Sequence, residues 1–249
     1  PLPICQLYHI AVDNRIPYEI ACSIQDIGTA RGPSRALVSG GIPLSAWHSV
    51  GGGEAGHVAI DPANPDLVYA GEYGGYISRY DHRTRQAKNI SIYPYNPSGH
   101  GAEDLKYRFQ WTAPILISPH NPRTIYHAAN VLFASRDAGK TWKAISPDLT
   151  TNDKSKQKWA GGPITGDNTG VEVYCTIFAV AESPLRQGLL WTGSDDGLVH
   201  VSENGGGNWR NVTAALRKAG LPEWGTVICI EPSSFDAKTA YVVVDAHRL

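Results

Sequence analysis

Five positions in this sequence carry side chains that an inner core layer does not need. Counting back eight residues from the residue that closes each of five apolar runs (Asn14, Pro62, Pro119, Pro184 and Pro232) lands on Gln6, Glu54, Trp111, Thr176 and Trp224. Aromatic platforms beside polar groups suit sugars, whose C–H faces are apolar and whose rims are hydroxylated. The connection that follows in each unit adds Gln25 and Asp26, Glu72 and Tyr73, Asn130, and Asp195 and Asp196. Two carboxylates on either side of a glycosidic bond act as acid and as base or nucleophile. Glu54 with Asp195 or Asp196 is the candidate catalytic pair. Gln6, Trp111, Thr176, Trp224, Glu72, Tyr73 and Asn130 are the candidate ligand contacts. A second reading stays open for the acids. Asp195-Asp196-Gly197 also reads as a turn whose carboxylates cap backbone amides. Glu54, inside the glycine-rich stretch 51–56, also reads as a salt bridge or backbone clamp.

Something must bring these scattered positions together, and the sequence supplies a repeat. An apolar run ends in a polar residue plus Pro or Asn, passes a short turn and re-enters an apolar run. The copies include His57-Val-Ala-Ile-Asp61-Pro62, Ala113-Pro-Ile-Leu-Ile-Ser118-Pro119 and Val227-Ile-Cys-Ile-Glu231-Pro232. Their spacing of roughly 45–65 residues is that of propeller blades. Within the second unit, strands are expected at 58–60, 67–70, 76–80 and 87–92, with Asp-Pro and Asn-Pro breaking the runs because proline lacks the ladder donor. The first strands are almost wholly apolar, as strands buried on both faces are. The expectation is an all-β propeller of four-stranded antiparallel blades at about 4–50, 51–100, 101–169, 170–220 and a partial 221–249. A half blade leaves an open sheet edge, so self-association or further chain segments are expected to complete the ring. The absence of Met is read as a processed or cut N-terminus. One helix is expected, at 213–219, ended by Gly220.

Composition narrows the function classes. Net charge is −1, which gives no basis for nucleic-acid or anionic-membrane binding, and no apolar run has the length of a membrane span. Cys5, Cys22, Cys175 and Cys229 fall in or beside apolar runs and are read as buried free thiols. His57, His100 and His127 are the histidines that can converge, but their spacing is not that of a metal site, and no metal or cofactor is expected. There is no phosphate-cradling loop and no nucleophile elbow. Two long connections, 94–110 and 151–169, are candidate rims or lids.

Ser135-Arg-Asp137-Ala-Gly139-Lys-Thr141-Trp142 has the form of an Asp-box, or BNR repeat, and Ser202-Glu-Asn204-Gly-Gly206-Gly-Asn208-Trp209 is a degraded second copy. The chain therefore resembles Asp-box β-propellers, nearest to bacterial BNR-repeat glycosyl hydrolase-like proteins and to the sortilin N-terminal propeller. The resemblance implies a structural role for these residues on outer turns. It implies a secreted or periplasmic protein, and no catalytic residue. Arg15-Ile-Pro17 is similar to the sialidase Arg-Ile-Pro motif, but it falls in a first-to-second-strand turn, away from the proposed entrance. Three functions follow as expectations: a carbohydrate- or protein-binding scaffold, a glycoside hydrolase with two entrance carboxylates, or a sortilin-like peptide receptor.

Overall fold

A computed structural model describes residues 4–247. It is an all-β propeller built from five antiparallel sheets in chain order. The first holds β1 (Leu7–Val12), β2 (Glu19–Ile24) and β3 (Gly28–Pro33), and His48 bridges Arg31 at its outer edge. The second holds β4 (Val58–Ile60), β5 (Leu67–Gly71), β6 (Ile77–Asp81) and β7 (Gln86–Asn89). The third holds β8 (Ile115–Ile117), β9 (Ile125–Ala128), β10 (Leu132–Ser135) and β11 (Lys143–Ala144). The fourth holds β12 (Ile177–Glu182), β13 (Leu190–Ser194), β14 (Val199–Ser202) and β15 (Arg210–Asn211). The fifth has two strands, β16 (Thr226–Pro232) and β17 (Ala240–Asp245). Helix α1 (Thr213–Lys218) lies between the fourth and fifth sheets, and Gly220 at φ +109° follows it.

The sheets are radial because the innermost strand of each packs on that of the next: β1 on β4, β4 on β8, β8 on β12 and β12 on β16. Their apolar side chains enter the seams between blades, where Val50, Val58, Val68 and Ala70 form one cluster and Ile77, Ile115 and Ile125 another. That burial on both faces is why the first strands read as continuous apolar runs rather than alternating ones. At the two ends of the arc the same pattern is left uncovered: Ile10 and Val12 of β1 are about 60% exposed, as is Tyr241 of β17.

The outer turns hook neighbouring blades. In the turn after β10, Ser135 Oγ accepts from the Gly139 amide at 2.8 Å, and Asp137 accepts from the Thr141 amide at 2.9 Å and the Thr141 hydroxyl at 2.7 Å. These donors favour the ionised carboxylate and bring Asp137 down to about 2. The turn after β14 repeats the geometry, with Asn204 accepting from the Asn208 amide at 2.9 Å and Ser202 from the Gly206 amide at 2.9 Å. Gly139 and Gly206 take φ +85° and +93°, where a Cβ would strike Ile90 and Ile145. Each turn aims an indole at the preceding blade. Trp142 Nε1 donates to the Ile90 carbonyl at 2.7 Å, and Trp209 Nε1 to the Ile145 carbonyl at 2.8 Å.

The cysteines depart from expectation in part. None is disulfide-bonded, and Cys22 and Cys175 are buried, but Cys5 and Cys229 are exposed. Cys5 precedes β1, and Cys229 lies on the last sheet, where no further blade covers it.

Replacing either hook tests this account of cohesion. Trp142→Ala and Trp209→Ala each remove a half-buried indole and its hydrogen bond, and each is expected to cost about 2–4 kcal/mol in urea unfolding. A loss no larger than the roughly 0.5 kcal/mol of an ordinary surface change would contradict it.

Candidate functional site

One end of the arc gathers the positions that precede each innermost strand. Gln6 comes directly before β1, Glu54 and Trp111 a few residues before β4 and β8, Thr176 directly before β12, and Trp224 two residues before β16. Contacts between blades join them. From the β2–β3 turn, the Gln25 amide donates to the Gln6 carbonyl at 3.0 Å and its side chain to Glu54 at 3.3 Å. The Asp26 amide donates to the same Glu54 oxygen at 2.6 Å. Tyr73 stacks on Trp111 with centroids 5.4 Å apart and planes within 7°. Tyr8 reaches from the first blade to meet Trp111 edge-on at 6.4 Å, while its hydroxyl donates to Gln25. Three aromatic rings from three blades thus share one surface, with Glu54 and Glu72 at its border.

Glu72 accepts from the Tyr73 amide at 3.0 Å, and its carboxylate lies where a side chain on Gly53 would have to go. Only glycine permits that approach. Burial, reinforced by the nearby Glu54 charge, raises the Glu72 pKa.

Asp195, 3% exposed, is linked to Trp111 through the side chain of Gln110. It accepts from the Thr176 amide at 2.8 Å, the Thr176 hydroxyl at 2.7 Å and the Gln110 side chain at 3.3 Å. Burial outweighs these donors and, with the charge of Asp196 beside it, pushes Asp195 up to about 7. Gln110 turns its other end to the Trp111 amide, which donates to it at 2.6 Å. The Thr226 and Tyr174 hydroxyls donate to the Asp195 carbonyl at 3.1 and 3.3 Å. Asp196 points elsewhere. It is fully buried and accepts from Ser194 Oγ at 2.5 Å and from the Thr151 amide and hydroxyl at 2.8 and 2.7 Å. That carboxylate clamps the 151–169 connection to the β13–β14 turn.

Asn130 is buried rather than open to solvent. It accepts from the Arg108 amide at 3.1 Å and donates to Asp148 at 2.8 Å. Arg108 donates to the same carboxylate at 2.8 Å and to the Cys175 carbonyl at 3.1 Å. Trp224 sits at the far end of the arc with Lys156 Nζ 4.4 Å from its ring centroid. The two long connections meet there, joined by Lys158 and Glu103 at 2.9 Å.

Of the three histidines singled out, His57 and His127 do come near one another, but the third ring is His9, stacked on His57 at 3.7 Å. His100 lies against Tyr95. Burial lowers the pKa of His9, His57 and His127 alike. No group of side chains among the described residues is arranged to hold a metal ion. Arg15 is committed to Asp13 and Glu19, both at 2.6 Å. A recess of about 810 Å³ opens elsewhere, between the outer strands of the third and fourth blades and lined by Trp142 and Trp209. It is a seam of the fold, with none of the clustered carboxylates.

Sequence reasoning passed over Tyr8 and Gln110. Tyr8 opens the first apolar run and was read as strand, and Gln110 is the residue before a counted position. The signal for both was available: each is a polar-tipped side chain within two residues of an entrance position.

No protein-family model and no curated protein matches this sequence. Among solved structures the chain is similar to the GH74 xyloglucanase from Xanthomonas campestris, at 15% identity and a TM-score of 0.43, over 94% of this chain and 43% of that one. It is also similar to a GH74 enzyme from Niastella koreensis, at 16% identity and a TM-score of 0.52, over 91% of this chain and 31% of that one. The chain spans less than half the length of either, and the second likeness shows a shared fold.

The raised Asp195 pKa has a sign that can be checked. With a folded value of about 7 against the ordinary 3.8, the folded state holds a proton that the unfolded state has released. This contribution is fully present below the unfolded value and is lost as pH rises through about 7. Urea midpoints are expected to fall between about pH 5 and about pH 8 in the wild type, and to fall less in Asp195→Asn. Equal slopes in the two proteins would show that Asp195 is already ionised at the lower pH.

Proposed function

We propose that this chain is a carbohydrate-binding propeller, with the surface formed by Tyr8, Tyr73 and Trp111 as its ligand platform and Glu54, Glu72 and Gln25 as the polar rim. The observation that carries the reading is the parallel stack of Tyr73 on Trp111, bordered by carboxylates. An apolar face of that extent matches the C–H face of a pyranose ring, and the rim supplies acceptors for its hydroxyls. Part of each ring is open to solvent, with Tyr73 37% exposed, so a ligand gains contact area without displacing a packed core. Trp224 with Lys156 extends the site to the fifth sheet. In the same reading the serine–aspartate and serine–asparagine turns that carry Trp142 and Trp209 are Asp-boxes, structural devices remote from the ligand. The fold shared with the GH74 enzyme fits this reading but does not carry it, since one fold hosts many functions.

A second reading, hydrolysis of a bound glycan, is favoured by one observation. Glu72 and Asp195 both hold their protons more tightly than ordinary carboxyls, and each is linked to Trp111, Glu72 through its neighbour Tyr73 and Asp195 through Gln110. A carboxyl that stays protonated near neutrality is the form a general acid requires. Glu54, bordering the platform and held by Gln25 and Asp26, is the candidate partner.

The two readings separate in two measurements. Calorimetric titration with xyloglucan, cellohexaose and chitohexaose is expected to give binding to at least one, weakened roughly tenfold or more in Trp111→Ala. Absence of binding to all three, or binding indifferent to Trp111→Ala, would remove the platform reading. Release of reducing ends from the bound glycan, abolished by Glu54→Gln, Glu72→Gln or Asp195→Asn, would select the hydrolase. Tight binding with no release would select the binding module.

A further inference from the structure

The Gln110 side chain joins two groups that otherwise have no connection: the buried carboxylate of Asp195 on the fourth blade and the backbone of Trp111 on the third. Its Nε2 donates to Asp195 Oδ2 at 3.3 Å and its Oε1 accepts from the Trp111 amide at 2.6 Å. We propose that Gln110 is a positioning residue which couples the ionisation of Asp195 to the seating of Trp111, and so to the affinity of the aromatic platform for its ligand. The proposal rests on the ligand platform described above for its effect on binding, but not for the coupling itself.

The argument is one of donor and acceptor counting. A primary amide has one end that only donates and one that only accepts. Ionised Asp195 only accepts, and three donors serve it: the Thr176 amide, the Thr176 hydroxyl and Gln110. That fixes the amide with its nitrogen toward the carboxylate and its oxygen toward the Trp111 N–H. A proton on Asp195 turns one oxygen into a donor. The Thr176 amide holds Oδ1, so the proton belongs on Oδ2, the oxygen that Gln110 and the Thr176 hydroxyl share. A proton on Oδ2 removes the charge to which Gln110 Nε2 donates, and the Thr176 hydroxyl, which accepts as well as donates, turns to receive that proton. Gln110 is then held less firmly at its nitrogen end, and its grip on the Trp111 N–H slackens. The groups packed around Asp195 are Asp196 on the same turn, Thr176 and Tyr174 before β12, and Thr226 at the start of β16. Asp196 is the charged one, and its oxygens accept from Ser194 and Thr151, not from Gln110. Because burial of Asp195 places its titration near neutrality, the slackening falls in an accessible pH range.

The sign follows. Above the Asp195 titration the Trp111 amide is held and the ring is seated; below it the amide is released. Affinity is therefore expected to rise with pH through about 7, by roughly three- to tenfold, the range that one hydrogen bond supplies.

The coupling is tested without any ligand by following the Trp111 backbone amide in ¹⁵N-resolved NMR across that range. In the wild type its proton resonance is expected to move upfield as pH falls, with the midpoint of the Asp195 carboxyl, itself followed by ¹³C. In Asp195→Asn and in Gln110→Ala the Trp111 resonance is expected to be flat. Gln110→Met, which keeps the length of the side chain but neither donates to Asp195 nor accepts from Trp111, serves as the shape-conserving check and is also expected to be flat. A Trp111 amide that does not titrate in the wild type while Asp195 does, or that still titrates in Gln110→Ala or in Gln110→Met, overturns the proposal. The binding arm uses cellohexaose: a pH-dependent affinity lost in Gln110→Met supports the coupling. A pH-independent affinity beside a titrating Trp111 amide overturns the link to the ligand. No affinity for cellohexaose, xyloglucan or chitohexaose at any pH removes the carbohydrate reading and with it that link, whereas the coupling still stands or falls on the amide.

Discussion

Burial of the innermost strands on both faces is the constraint on which the remainder of this molecule depends. A strand such as Ile115–Ile117 has blades on both sides and spends its backbone hydrogen bonds on β9 within its own sheet. Its side chains have only apolar neighbours to meet, so the seams fill with Ile, Val, Leu and Ala. This packing is non-directional, and by itself it does not set the angle between blades. The hooks do. A Trp142 indole that must both cover Ile90 and donate to its carbonyl at 2.7 Å leaves one orientation for the neighbouring sheet, and Trp209 repeats the arrangement one blade on.

The two ends of the blades divide the labour. At the outer turns after β10 and β14 the Ser135, Asp137, Ser202 and Asn204 side chains are matched locally. Asp137 and Asn204 bind amides within four residues of themselves, which makes these turns rigid whatever lies nearby. At the entrance the partners come from other blades: Gln25 to Glu54, Tyr8 to Trp111, Gln110 to Asp195. Buried Arg31 plays the same linking part lower in the first blade, where it joins Asp13, Glu19 and the Pro65 carbonyl of the second. Long-range partners make the entrance sensitive to how blades are set, which suits a surface that must present groups from several blades to one ligand.

Local rules explain what was legible in the sequence. The repeat period, the apolar first strands and the Asp-Pro breaks each act within about ten residues, and they place β4, β5 and β6 within a residue or two of their observed ends. The entrance positions were also legible, because one register rule applies to every blade. Side-chain destinations were not. Asp195 and Asp196 are adjacent and chemically identical, yet the first turns to Thr176 and Gln110 and the second to Thr151. That choice is made by residues 19 to 85 positions away, which no local pattern encodes. Asn130 was counted among the ligand contacts for the same reason. It does lie in the β9–β10 connection, but its side chain is buried on Arg108 and Asp148.

Backbone conformation at the entrance points in the same direction as the hydrogen bonds. Asp26, Cys175 and Trp224, none of them glycine, take φ values of +61° to +62°, a region that costs an L-residue about 1–2 kcal/mol. The pairing register also slips at the entrance end of three innermost strands, at 7–10, 177–179 and 227–229. Bulges of this kind re-aim a side chain at the cost of a ladder bond. Strain and slippage gather where hydrogen bonds of Glu54, Asp195 and Thr226, within and between blades, hold the chain. Strained backbone persists only where its surroundings over-determine it. The entrance is therefore tied together by polar contacts and ring contacts that run between blades. A change of charge at one carboxyl is felt there by a neighbouring blade, whereas the same change at an outer turn stays within the turn.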